Sequence, residues 1–504
     1  MSHLFKKNYK FIYKTFILLI LTGIIILTYL GIQNYSSSKI NYLSFSIISN
    51  FLILFAFRKN AFFFETFFSL LLWLGFWFKF TCTIVFTDGM FREGTGFFDY
   101  SNESFDKVLI VSQIGLLSFI ISGYFRQSFL FKYPEKLILQ NLKKSFFKVG
   151  RKKIWIIFIF FYIFIAFLNF YFKIYQKGLL PIYDINFILS GIFKWLLLFG
   201  LSAISATLLF YEYNFYKKFF FISALIILFE TFFTSLSMLS RGMIFNAIAL
   251  LYGIYKFSKK IDRPNSFSYY LKSTTIIFIL FYISVSSVNY IRANYFYVGK
   301  SVDFVIEKIE KDKKTQDQIQ SEIPKKYATS KEINSEILYL IINRWVGVDG
   351  IMAVTSKNDI LSLEFLFSSF KERPTKDTPT FYELTFGLEN NIPTNELYDN
   401  VKGNTLPGIL AFLFYSGSYF ILFIGIFILS IIASSIEFVS FKLSSNNLIF
   451  SSLIGQVIAF RFIHFGYLPH QTYLLFGTII LNIFFIFILN LYLKKNFSIK
   501  KIKV

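Results

Sequence analysis

A single cysteine, Cys82, rules out an internal disulfide framework, and with only three histidines the chain has no Cys/His spacing that suits a metal site. Acid is scarce as well. Aspartate and glutamate number 29 against 52 lysines and arginines, and charged residues make up 16% of the 504. A soluble domain carries about a quarter charged residues, because its surface has to face water. What replaces them is apolar: 55% of the residues are hydrophobic and mean hydropathy is +0.56. Apolar runs of about 17–25 residues recur along the whole length, enough for a helix to cross about 30 Å of hydrocarbon. The 72 phenylalanines fit the codon bias of a low-GC genome, so their abundance alone points to no aromatic binding box.

The pattern predicts an all-α, polytopic transmembrane helix bundle of about twelve spans. The expected spans lie at about 15–34, 41–57, 62–82, 107–124, 154–173 and 191–210, then about 219–238, 242–257 and 273–290. The last three are at about 418–437, 447–465 and 472–493. Three regions follow: spans one to nine in 1–290, a large extracytoplasmic loop region in 291–417, and spans ten to twelve with a basic tail in 418–504. The first apolar stretch follows Lys6, Lys7, Lys10 and Lys14, but Gly31-Ile32-Gln33-Asn34 makes a poor cleavage site, so it is expected to be a retained span.

Cations in alternate short loops give the orientation. With both termini cytoplasmic, the basic segments fall on one side: Arg58-Lys59, the stretch 125–153, Lys217-Lys218, 256–272, Lys442 and the tail from Lys494. The stretch 125–153 holds Arg126, Lys132, Lys136, Lys143, Lys144, Lys148, Arg151, Lys152 and Lys153. The opposite side carries chiefly Lys39, Lys79, Arg92, Lys107, Lys173, Lys177, Lys194 and Arg241. Basic loops facing anionic lipid account for the net charge of +23, so no nucleic acid is needed as a partner. The interval 291–417 differs from its surroundings. It holds more than half of the acidic residues, reads as a charged helix over Val302–Glu322, turns amphipathic over Ile333–Val354, and is broken by Pro374, Pro379, Pro393 and Pro407. Pro407–Tyr415 is apolar but short, which suits an interfacial or re-entrant helix.

Charge at membrane depth costs at least about 2.5–3.5 kcal/mol for a central arginine, so misplaced cations carry information. Arg241, in Ser240-Arg241-Gly242, opens a span on the cation-poor side, where the helix dipole also disfavours it. It is either an interfacial side chain snorkelling to lipid phosphate or part of an anion site, since a guanidinium fork and helix N-terminal amides both suit phosphate oxygens. Arg461 and His464, three apart, share a helix face near the outer end of the eleventh span, and His470 follows in a short turn. A histidine there is either a hydrogen-bonded structural residue or a general base. Arg292 and Arg344 add outer cations, and Trp345 suits an interfacial anchor or sugar stacking. Glu383, Glu389, Glu396 and Asp399 are candidate acid/base groups, most simply read as solvated loop carboxylates. Glu65 and Glu230 lie within spans, where pairing between helices is expected.

These features resemble the Wzy-type O-antigen and capsule repeat-unit polymerases. The residues that carry the likeness are Ser240-Arg241-Gly242, Asn343-Arg344-Trp345-Val346-Gly347 in the long outer loop, and Gly403-Asn404-Thr405-Leu406-Pro407-Gly408 before the tenth span. The resemblance implies a glycosyltransferase of the bacterial cytoplasmic membrane with no cofactor. It would join undecaprenyl-pyrophosphate-linked oligosaccharides by metal-independent transfer, in contact with membrane lipids and with a chain-length regulator as a protein partner. Arg241 and Arg461, with Arg344 or Arg292, would hold the pyrophosphates. His464 or a loop carboxylate would deprotonate the attacking hydroxyl. Trp345 and His470 would complete the substrate site, and the division into donor and acceptor sites is left open. The main rival is a lipid-linked oligosaccharide flippase or other secondary transporter. Polyprenyl-phosphate-sugar transferases and cell-wall elongation polymerases fit less well, the first for want of acid in Asn34–Tyr42 and the second on span count.

Overall fold

The computed structural model describes residues 2–87, 89, 91, 95–137, 146–177, 186–216, 221–262, 267–293, 342, 345–372, 380–387, 406–466 and 469–494. Every regular element among them is helical. The first nine helices are α1 (Ser2–Asn34), α2 (Lys39–Ala56), α3 (Phe63–Phe86), α4 (Asn102–Leu130) and α5 (Phe146–Phe172), then α6, α7 (Phe221–Ser237), α8 (Ile244–Lys260) and α9 (Phe267–Ala293). Helix α6 runs from Phe187–Trp195 through a π turn, Leu196–Gly200, into Leu201–Tyr216. Four short helices follow: α10 (Val348–Thr355), α11 (Leu363–Ser369), α12 (Phe381–Thr385) and α13 (Gly408–Leu413). The last three are α14 (Tyr419–Leu443), α15 (Leu448–Ile463) and α16 (Pro469–Lys494).

Eight helices among the described residues are long and apolar enough to cross a membrane: α2 to α6, α9, α14 and α16. Four other expected spans fall on α1, α7, α8 and α15, three of them as shorter apolar stretches (Leu18–Asn34, Phe221–Ser237 and Leu448–Ile463). The outer surface agrees with a bilayer as solvent. Helix α5 buries Phe158, Tyr162 and Ile165 and exposes Phe160, Phe164, Phe167 and Tyr171, so both of its faces are apolar. Water would not tolerate such a stripe on a monomer; acyl chains do.

Helix α15 is the hub. Leu448 to Ala459 are buried without interruption, as expected of a helix apolar all round. It packs on α3, α6, α8 and α14, while α4 packs on α2 and α14. Two short helices, α10 and α13, are buried at every residue, which places them inside the bundle. Their entry depends on glycine. At the π turn of α3, a β-carbon on Gly75 would come within 2.1 Å of the Val346 carbonyl oxygen, and one on Gly347 within 2.2 Å of the Gly75 carbonyl. The two backbones touch because neither residue has a side chain.

Candidate functional site

The geometry begins with Asn169 near the end of α5. Its amide donates to the carbonyl of Tyr175 at 3.0 Å and to the Ser237 carbonyl and hydroxyl at 2.9 and 2.8 Å, and its carbonyl accepts from the Tyr175 N–H at 2.8 Å. The chain after α5 is thereby pinned to the end of α7. Two residues on, the Lys177 N–H donates to the Met238 carbonyl at 2.9 Å. The turn from α7 to α8 is tight enough to hold Leu239 at φ 50. Arg241–Met243 then forms a 3₁₀ turn leading into α8.

These segments meet the C-terminal part of α15 around a cleft of about 30 Å³, lined by Lys177, Gly242, Asn246, Gln456, Phe460 and Arg461 among others. No carboxylate lines it among the described residues. The π turn of α6 supplies Leu198 and Phe199, and Asn246 donates to the Leu198 carbonyl at 2.9 Å, which satisfies a backbone group that the π turn sets aside. Gln456 is buried, and its side-chain oxygen has no hydrogen-bond partner among the described residues. Arg461 is half-buried and has no acidic partner within ion-pair distance among the described residues. Lys194 approaches the Tyr175 ring at 5.5 Å and Lys177 the Phe460 ring at 5.6 Å. Cations therefore gather where membrane burial would otherwise penalise them.

His464 stacks on Phe460 with ring centroids 4.0 Å apart, and its Nδ1 lies 2.8 Å from the Phe460 carbonyl oxygen. A carbonyl can only accept, so Nδ1 carries the hydrogen and Nε2 of the neutral ring is left as a proton acceptor. Lys177 and Arg461 are its charged neighbours. Phe245 connects Phe460 to Trp345, at 6.4 Å to each ring. The Trp345 carbonyl accepts from Lys79 at 3.2 Å, and Lys79 forms a buried ion pair with Asp349. That pair fixes α10 to α3 and with it the approach of Trp345 to the cleft.

Of the residues singled out in the sequence, the fold brings together Arg461, His464, Trp345 and the backbone of the Ser240-Arg241-Gly242 turn. The side chains of Arg241, Arg292 and His470 lie outside the described residues, although the backbones sit at the start of α8, the end of α9 and the start of α16. Arg344, Glu389, Glu396 and Asp399 lie wholly outside them. Glu383 is spoken for: its carboxylate accepts from the Thr380 N–H and hydroxyl, both at 2.8 Å, to cap α12. Lys177, Asn246, Gln456 and the Lys79–Asp349 pair join the site without being singled out by the sequence pattern. The available signal was the short roster of cations on the cation-poor side, in which Lys79, Lys177 and Lys194 stand beside Arg241.

No family model, no curated protein and no solved structure matches this chain.

Proposed function

We propose that this membrane protein polymerises oligosaccharide repeat units carried on undecaprenyl pyrophosphate, at the outer face of the bacterial cytoplasmic membrane, for O-antigen, capsule or exopolysaccharide. Both termini would be cytoplasmic, the bundle would cross about twelve times, and 291–417 would lie outside. In the reaction an acceptor hydroxyl attacks the anomeric carbon of the donor. A C–O bond forms, the C–O bond to pyrophosphate breaks, and the hydroxyl proton passes to a base. Charge builds on the leaving pyrophosphate, and fixed cations lower that cost without the metal ion another enzyme would use. Arg461 and Lys177, with Arg241, would bind the diphosphate. Nε2 of His464 would accept the proton, and Trp345 would stack against a sugar.

A single observation carries this reading: Arg461, Lys177 and Gly242 of the Ser-Arg-Gly turn line one cleft beside His464, with no carboxylate among its described lining residues. The cleft has room for about two waters, so a diphosphate enters only if its walls move apart. The rival reading, a flippase or transporter, draws on Glu230, a buried carboxyl in α7. It accepts hydrogen bonds from Ser202 of α6 at 3.1 Å and from Thr234 at 3.4 Å, with no cation partner among the described residues. One complementation experiment separates the two. In a deletion strain, Arg241→Ala and Lys177→Ala are expected to leave single repeats on lipid at the outer face, and Glu230→Gln to restore polymer. Full polymer from Arg241→Ala and Lys177→Ala at normal protein levels would defeat the polymerase reading. Repeats trapped on the cytoplasmic side in Glu230→Gln would favour the transporter.

A further inference from the structure

A second cleft lies at the opposite end of the bundle. Leu448 lines it at the start of α15, about 20 Å along that helix from Arg461. It has a volume of about 20 Å³, and its walls are Lys59, Asn60, Ala61, Phe63, Tyr133, Lys256, Lys260 and Leu448. Three lysines thus converge from two segments, the turn between α2 and α3 and the last turns of α8. The acids nearby are already committed. Glu135 pairs with Lys59 at 3.0 Å, at the solvent edge. Glu437, behind Tyr133, accepts from that hydroxyl at 2.6 Å and from the Phe63 and Phe64 amides at 2.8 and 2.6 Å. Lys260 donates to the Pro134 carbonyl at 2.5 Å. Lys256 lies half-buried against the Tyr252 ring at 5.4 Å and has no acidic partner within ion-pair distance among the described residues.

Packing three ammonium groups around one opening costs repulsion that water relieves most fully at the exposed Lys59 and less at the half-buried Lys256 and Lys260. A phosphate seated there would offset it and accept hydrogen bonds from all three. We propose that this cleft binds a phosphate group, supplied either by the head group of an anionic phospholipid or by free inorganic phosphate. The assignment rests on this cleft alone and is independent of the polymerase reading. The test uses the full chain in nanodiscs of phosphatidylcholine, with and without a minor fraction of phosphatidylglycerol. Lipid retained on the protein is read by native mass spectrometry and the unfolding midpoint is followed beside it. Inorganic phosphate is titrated into the phosphatidylcholine discs at constant ionic strength. Lys256→Gln/Lys260→Gln changes only side chains that reach solvent, and Lys152→Gln/Lys153→Gln removes equal charge from the exposed start of α5. Lipid as the source predicts retained phosphatidylglycerol that weakens by about tenfold or more in the first variant and little in the second. Free phosphate as the source predicts a midpoint shift with phosphate alone, lost in the same variant. Binding that both variants weaken equally, or that neither ligand shows, overturns the site.

Discussion

The buried charges at the start of α3 and those at the end of α15 follow opposite rules. At the first, every charge is answered. Arg126 is fully buried, and its guanidinium donates to Glu65 at 2.8 and 2.9 Å, to the Phe131 carbonyl at 2.7 Å and to the Asn60 carbonyl at 3.1 Å, while lying over the Phe62 ring. Arg58 donates to the same carboxylate at 2.7 Å. Glu437 takes up the free amides of the α3 N-terminus, where helix and carboxylate suit each other. Even the packing conforms: a β-carbon on Gly455 would come within 2.6 Å of the Glu437 oxygen and 2.5 Å of the Phe64 nitrogen. At the end of α15, by contrast, cations collect and no acid lines the cleft among the described residues. A closed set of charges holds helices together; a cation with no acid against it among the described residues, as at Arg461, is available to a visitor.

Breaking the closed set is expected to have the largest effect on the fold. Arg126→Ala leaves Glu65 buried with Arg58 as its remaining cation, and removing one partner of a buried pair costs about 3–5 kcal/mol. The unfolding midpoint in detergent, followed by helicity, checks this; an unchanged midpoint would mean that the Glu65 knot contributes nothing. The next effect comes from the pair that ties α10 to α3. Lys79→Met and Asp349→Leu each strand one buried charge and should cost about 3 kcal/mol. The double variant Lys79→Met/Asp349→Leu buries no charge and should recover most of that loss, because a buried ion pair gains little over well-packed apolar side chains. If the double variant is as unstable as the sum of the singles, the pair is not acting as a pair.

The fold was far more legible than the site. Runs of Phe, Ile and Leu at helical length mark the helices directly, and each expected span interval falls on one of α1 to α9 or α14 to α16. The buried short helix after Pro407 was foreshadowed by an apolar stretch too short to cross a membrane. What the sequence could not reveal was which charges meet. Arg126 reads as one more loop cation in a basic stretch, yet α4 carries it down to Glu65, 61 residues earlier in the chain. Glu230 reads as half of an interhelical ion pair, but its partners among the described residues are hydroxyls. Lys177 could be flagged for lying on the wrong side, whereas its place beside Arg461 depends on Asn169 and on the turn at Leu239. Contacts across long separations leave no periodic trace, and lysine and arginine look alike to hydropathy whether they are paired or open.

The smallest expected effect on the fold is also the sharpest test of the comparison. Arg461→Gln removes a cation that no described acid balances, so the folded state loses no ion pair and is relieved of a charge that is costly to hold away from water. Its unfolding free energy should change by no more than about 0.5 kcal/mol, and upward is as acceptable as downward. Polymer formation should nevertheless fall by about 10²–10³, the usual cost of losing one preorganised donor to developing negative charge. Arg461→Lys should recover part of it, since it keeps the charge and loses the fork that grips two oxygens at once. A stability loss as large as that of Arg126→Ala would show that Arg461 is answered after all, by a partner outside the described residues, and the cleft would then be one more closed set.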